Sequence, residues 1–185
     1  MQSYRLRCFK LQCRWLSAKS VAPCYRLSDR FIVGGQLSRE QYAQLLKDNK
    51  VKHLINVRVD SEPGFDGPGE RHIACEHNAS YTELPVDAAT ITNPEKFAFW
   101  VKNFAKTFGE SLEHLPSSSS EEETTALLHC ARMPRAVTVA VAVEQQLGKR
   151  QWSRQEVTSH LDKAAAAADL EIPDNFYEAL DRYAE

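Results

Sequence analysis

Apolar residues in this chain fall into two spacings. Short, mostly apolar segments stand at 31–33 (FIV), 53–57 (HLINV), 82–86 (TELPV) and 126–129 (ALLH). Segments of that length, bounded by polar or turn-forming residues, predict strands. Between them the spacing widens to that of helices. Ser38 with Gln41 forms a capping box that opens a helix through about Asp48. A short helix follows over about 69–78. Asn93 and Pro94 give an N-cap and a first helical position, and Phe97, Trp100, Val101, Phe104 and Phe108 then recur at three-to-four spacing towards about Leu115. That stripe predicts core packing. Residues 137–147 read as a helix despite their β-branched valines, because a crossover is needed after the strand before them. Ser153 and Glu156 form a second capping box, opening a helix through the run of alanines at 164–168. Pro173 breaks it, and Asp174 starts a last short helix.

Repeated β–α order predicts an α/β fold with a small, mostly parallel central sheet flanked by helices. About four strands are expected, with 53–57 and 126–129 side by side and right-handed crossovers. The acids, glycines and prolines of 60–70 (DSEPGFDGPGE) predict a loop, and 116–125 (PSSSSEEETT) a flexible acidic insert. The α/β domain is placed at 25–172 and the C-terminal helix at 173–185.

Composition narrows the class. The chain has 185 residues, 43% hydrophobic and 26% charged, which excludes a collagen-like or low-complexity chain. No apolar run reaches the ~20 residues of a transmembrane helix. The net charge of −2 argues against a polycation that binds nucleic acid. That balance hides a lopsided start: Arg5, Arg7, Lys10, Arg14, Lys19 and Arg26 precede the first acid, Asp29. Basic, acid-free and interleaved with Phe9, Leu11, Trp15 and Leu16, residues 1–24 read as a mitochondrial targeting leader, with cleavage expected after Leu16, or as a basic N-terminal arm. A mitochondrial location on the matrix side follows as an expectation. The five cysteines are odd in number and scattered, which suits a reducing compartment. His72, Cys75 and His77 lack a second ligand pair, so no metal is expected, and no motif calls for a cofactor.

The candidate chemistry lies at 129–135, HCARMPR. A strand ending in His129 and Cys130, a short loop, and Arg135 opening a helix form a recipe for an oxyanion-binding nucleophile. The helix N-terminus offers free N–H groups and positive dipole, and the same field favours thiolate. The backbone of Ala131, Arg132 and Met133 would line the anion site, and Arg135 would clamp phosphate or sulfate. Asp60, after the second strand, is placed to act as general acid, or equally to close the 60–70 turn. Asn56 and Arg58 stand ready either to support the site or to make strand-end hydrogen bonds.

Four segments, YRLSDRFIVGGQL (25–37), LINVRVDSEPG (54–64), YTELPVD (81–87) and HCARMPRA (129–136), resemble the β-lactamase-hydrolase-like phosphatase domain. That domain lies within the dual-specificity/protein tyrosine phosphatase superfamily. Its members read Ser-Gly-Gln-Pro, Asn-x-Arg-x-Asp-x-Glu, Pro-Val and Cys-Arg-Ser-Gly-Thr-Arg-Ser in that order. The resemblance implies Cys130 as nucleophile, Arg135 as clamp, Asp60 as general acid and His129 as the residue tuning the thiolate. The short loop is also shared by rhodanese-type sulfurtransferases.

The departures are specific. Met133 stands for glycine, which would take positive φ and let backbone approach the anion. Pro134 stands for threonine and has no N–H to donate. Ala136 stands for serine. The expectation is therefore a phosphatase-like domain with decayed catalysis, serving as an accessory subunit of a mitochondrial assembly such as a respiratory-chain complex. The alternative is a working cysteine phosphatase or sulfurtransferase. Protein subunits, and a phosphate or sulfate anion, are the expected partners.

Overall fold

The computed structural model describes residues 24–48, 51–113, 125–148 and 151–184. All but Cys24 of the leader expected at 1–24, and most of the acidic insert, lie outside them. The elements run β1 (Cys24–Arg26), β2 (Phe31–Gly34), α1 (Arg39–Asp48), β3 (Val51–Asn56), α2 (Gly67–Glu76), β4 (Ser80–Glu83) and α3 (Ala88–Ile91). They continue with α4 (Pro94–Glu113), β5 (Thr125–His129), α5 (Pro134–Gly148), α6 (Arg154–Ala168) and α7 (Asp174–Ala184).

The strands form one sheet in the order β1-β2-β5-β3-β4. All neighbours are parallel except β1 and β2. The expected adjacency of the HLINV and ALLHC segments holds: Leu54 pairs with Leu127 and Asn56 with His129. Side chains alternate across the sheet. Ile32, Leu54 and Leu127 face α1 and α2, joining Tyr42, Leu46, Ile73 and Ala74 in one buried cluster. Phe31, Val33, Ile55 and Leu128 face the other way, into a larger core with α4 to α7. Burial on both faces explains the unbroken apolar runs of the central strands. α5 lies deepest: Val137, Val139, Ala140, Val141, Ala142 and Val143 are all fully buried. A helix apolar all round belongs inside, where packing overrides the weak helix propensity of valine. Phe176, Ala179 and Leu180 place α7 in the same core.

Three expectations need correction. The sheet has five strands, not four, because β1 adds an antiparallel edge. Its three residues carry no periodic signal; the 27–30 turn fixes it, with Leu27 N–H donating to Phe31 O at 2.9 Å and Ser28 Oγ accepting from Phe31 N at 3.1 Å. β4 occupies Ser80–Glu83 rather than 82–86, although Leu84 N–H and Val86 N–H still donate to Asn56 O and Val57 O at 2.9 and 3.1 Å. α2 begins at Gly67, inside the expected loop, because Asp66 caps it, accepting from Gly69 N. α3, capped by Asp87, was not expected.

His53, 2% exposed on β3, pairs its Nδ1 with Ser80 Oγ at 2.5 Å. Burial pushes its pKa down from 6.5, so the folded state holds it neutral. A His with a depressed folded pKa contributes stability above its unfolded pKa and loses it as pH falls below about 6.5. Stability measured by urea unfolding should therefore decline from pH 7 to pH 5, and His53→Gln should shallow that decline; an unchanged slope would exclude His53 as its source.

Candidate oxyanion site

The three central strands end together at one edge of the sheet, and their loops build the site. β5 delivers His129 and Cys130, β2 delivers Gln36, and β3 delivers Asn56, Arg58 and the turn that follows. Backbone bonds lock the loop to its neighbours: Cys130 N–H donates to Gly34 O at 3.3 Å and Gln36 N–H donates to Ala131 O at 3.2 Å. Val57 N–H donates to His129 O at 3.0 Å.

Within the loop, Met133 takes φ of +85°. It adopts the backbone that glycine would favour, with a Cβ attached. Its N–H donates to Cys130 Sγ at 3.2 Å. One amide of the expected cradle therefore does face the sulfur. The Met133 side chain is fully buried and belongs to the larger core, together with Cys130, which is 1% exposed. Burial of this side chain in the core offsets the backbone strain. Truncation tests this balance. Met133→Ala keeps the strained Cβ and loses about 2–5 kcal/mol of buried side chain. Met133→Gly loses the same side chain but relieves strain of about 1–2 kcal/mol. In urea unfolding both variants should be destabilised, with the glycine variant the more stable; the reverse order would mean that residue 133 does not hold a positive φ.

Pro134 opens α5 at a position where its fixed φ suits the helix start. There it brings no N–H to the anion. Arg132 is exposed at the lip, and Ala136 is fully buried.

Arg135 is brought to Cys130, within hydrogen-bonding reach of the thiol. Its guanidinium is held from behind: Nη1 and Nη2 each donate to Glu62 at 2.6 Å, and Nη1 also donates to Val86 O at 3.0 Å. Of five N–H donors, these bonds leave Nε–H and the second Nη2–H, the edge suited to a bidentate oxyanion grip. Burial opposes the charge on Arg135, but the Glu62 bonds and neighbouring Cys130 outweigh it and raise its pKa. Burial likewise opposes the Glu62 charge, and Arg135 reverses the balance, holding that carboxyl below its ordinary value.

Asp60, read from the sequence as the general acid, is exposed on the turn after β3. The carboxylate that this turn carries to Arg135 is that of Glu62. Arg58 is buried beneath the turn and secures it, donating to Pro63 O at 2.6 Å, to Gly64 O at 3.0 Å and to Gln36 Oε1. Asn56 makes the strand-end bonds, its Oδ1 accepting from Arg58 N at 2.8 Å.

Behind His129 lies a buried network that sequence reasoning missed. Glu70, on α2 and 2% exposed, accepts from Gln36 Nε2 at 2.8 Å, Asn56 Nδ2 at 2.7 Å, Tyr81 OH at 3.1 Å and Tyr42 OH at 3.2 Å. His129 Nε2 lies 3.3 Å from Glu70, and His129 Nδ1 lies 2.9 Å from Tyr42 OH. Burial would raise the Glu70 pKa, but His129, Gln36 and Asn56 together lower it to about 2. One carboxylate thus ties α1, α2, β4 and the ends of β2, β3 and β5 together under the loop. The available signal was an acid at helical spacing from the buried pair Ile73 and Ala74, which periodicity alone does not single out.

No family model matches the chain, and no curated protein matches it significantly. Solved structures do. A putative phosphatase (DUF442) from Shewanella putrefaciens CN-32 superposes with a TM-score of 0.58 at 19% identity, covering 88% of this chain and 89% of that one. PTPMT1 gives 0.55 at 17% identity, covering 87% and 93%. Tk-PTP in its active form gives 0.56 at 13% identity, covering 87% and 95%. At these identities the likeness speaks for the fold, and it agrees with the strand order, the loop and the helix described above. The chain has the dual-specificity/protein tyrosine phosphatase-like fold.

Proposed function

We propose that this phosphatase-like domain binds an oxyanion weakly at Cys130 and Arg135, has lost effective turnover, and serves as an accessory subunit of a mitochondrial assembly. The observation that carries the loss of turnover is Pro134 opening α5 at the anion-facing end of the loop. Phosphoryl transfer depends on donors already aimed at the transferring group, and each such donor is worth about 2.7–4 kcal/mol in the transition state. This loop lacks one at residue 134 and lacks the hydroxyl at Ala136. Its thiol is covered, and its candidate acid, Asp60, stands exposed on a turn. The mitochondrial part rests on the basic, acid-free N-terminal sequence, and the accessory role on a fold kept intact around an impaired loop.

A second reading, a working cysteine phosphatase or sulfurtransferase, is favoured by two contacts: the Met133 N–H on Cys130 Sγ and the edge of Arg135 beside the thiol. An aryl phosphate assay separates the two. The purified protein should show negligible turnover, and Cys130→Ser should leave its melting temperature and its assembly on native gels unchanged. Turnover that depends on Cys130 and approaches the low end of the enzyme range, about 1 s⁻¹, would replace the first reading with the second.

A further inference from the structure

Phe99 is the large apolar side chain left most open to solvent among the described residues, at 69% exposure. It lies on α4, a 20-residue helix whose opposite face buries Phe97, Val101, Phe104 and Phe108 in the core. Helical spacing sets Phe99 between exposed Lys96 and Lys102, three residues to either side, exposed Lys106 continues the row, and one exposed acid, Glu95, shares the face a turn before Phe99. A protein of net negative charge thus presents a basic stripe with an aromatic side chain in its middle. At its N-terminal end α4 is tied to the site: Trp100 Nε1–H donates to Pro85 O at 3.0 Å, next to the Val86 carbonyl that holds Arg135.

We propose that α4 docks on an anionic bilayer surface through Lys96, Phe99 and Lys102. The charge of the stripe complements acidic headgroups, and an aromatic ring among cationic side chains suits the headgroup–acyl boundary. The residue choice favours lipid over protein, because protein interfaces enrich arginine and deplete lysine, and the basic groups of this stripe are all lysine. Docking is peripheral, since no helix among the described residues is long and apolar enough to cross a membrane. It would set the Val86–Arg135 corner beside the lipid surface.

The test uses the full chain in flotation with vesicles of phosphatidylcholine alone or mixed with phosphatidylglycerol. The protein should float with the mixed vesicles and not with the neutral ones. Lys96→Glu with Lys102→Glu should lower that partitioning at least about tenfold. Phe99→Ser should lower it several-fold with an unchanged thermal melt. Because the N-terminal sequence is also basic, a control carries the same charge change away from the stripe, Lys52→Glu with Lys163→Glu, and should lose far less. Equal loss in that control, or full partitioning by both stripe variants, would overturn the proposal and leave the stripe to an acidic protein surface.

Discussion

Replacing Glu70 by Gln should lower the unfolding free energy by about 3–5 kcal/mol at neutral pH, the largest single-site effect expected in this protein. Glu70 accepts from four side chains and lies against His129, with almost no contact with water. Glutamine keeps the shape but removes the charge and turns an NH2 group towards donors that the carboxylate accepts. The pH dependence gives an independent measure. The folded carboxyl titrates at about 2 against an ordinary value of 4.5. A depressed acid contributes stability that is complete above its unfolded pKa and is lost as pH falls towards its folded one. At 1.36 kcal/mol per unit the contribution is of order 3 kcal/mol, in line with the cost of breaking the pair. Urea unfolding at pH 7 should separate the natural protein from Glu70→Gln widely, and the gap should narrow between pH 4.5 and pH 2. A gap that stays constant over that range would show the loss to be one of packing rather than of charge.

The double change Met133→Gly with Pro134→Thr should raise aryl phosphate turnover by about a hundredfold or more over the natural protein. The threonine restores one N–H at the start of α5, and one preorganised oxyanion donor is worth about 10²–10³ in rate. The glycine keeps the positive φ that Met133 already holds, so the backbone path of the loop is preserved. The Glu62 clasp on Arg135 and the Met133-position N–H on the thiol should survive, since neither uses the altered side chains. The gain must vanish when Cys130→Ser is added. If the double variant folds, as circular dichroism would show, and remains inert, the missing donor is not what limits this site.

The strand runs, the two capping boxes and the HCARMPR segment were legible in the sequence, because each rests on local chemistry. Apolar runs of strand length need no partner to be noticed, and a Ser–Gln or Ser–Glu pair three residues apart satisfies its own backbone. The strand–Cys–loop–Arg–helix order likewise carried the fold reading and the placement of Cys130 beside Arg135.

What escaped was whatever depends on residues distant in the chain. β1 becomes a strand only because β2 offers it an edge. Met133 could be read as an obstruction in the anion site, but only the packed core shows that its side chain has a buried place of its own. Asp60 and Glu62 are both acids on one turn; Arg58, anchoring that turn through Pro63 and Gly64, decides which of them meets Arg135. Glu70 draws its partners from five other segments, from Gln36 to His129. The sequence by itself determined most of the elements and the Cys130–Arg135 loop, since these follow from neighbours within a few residues. Which carboxylate faces which cation was decided by the tertiary structure alone, because only the folded chain brings those groups together and excludes the water that would otherwise satisfy them.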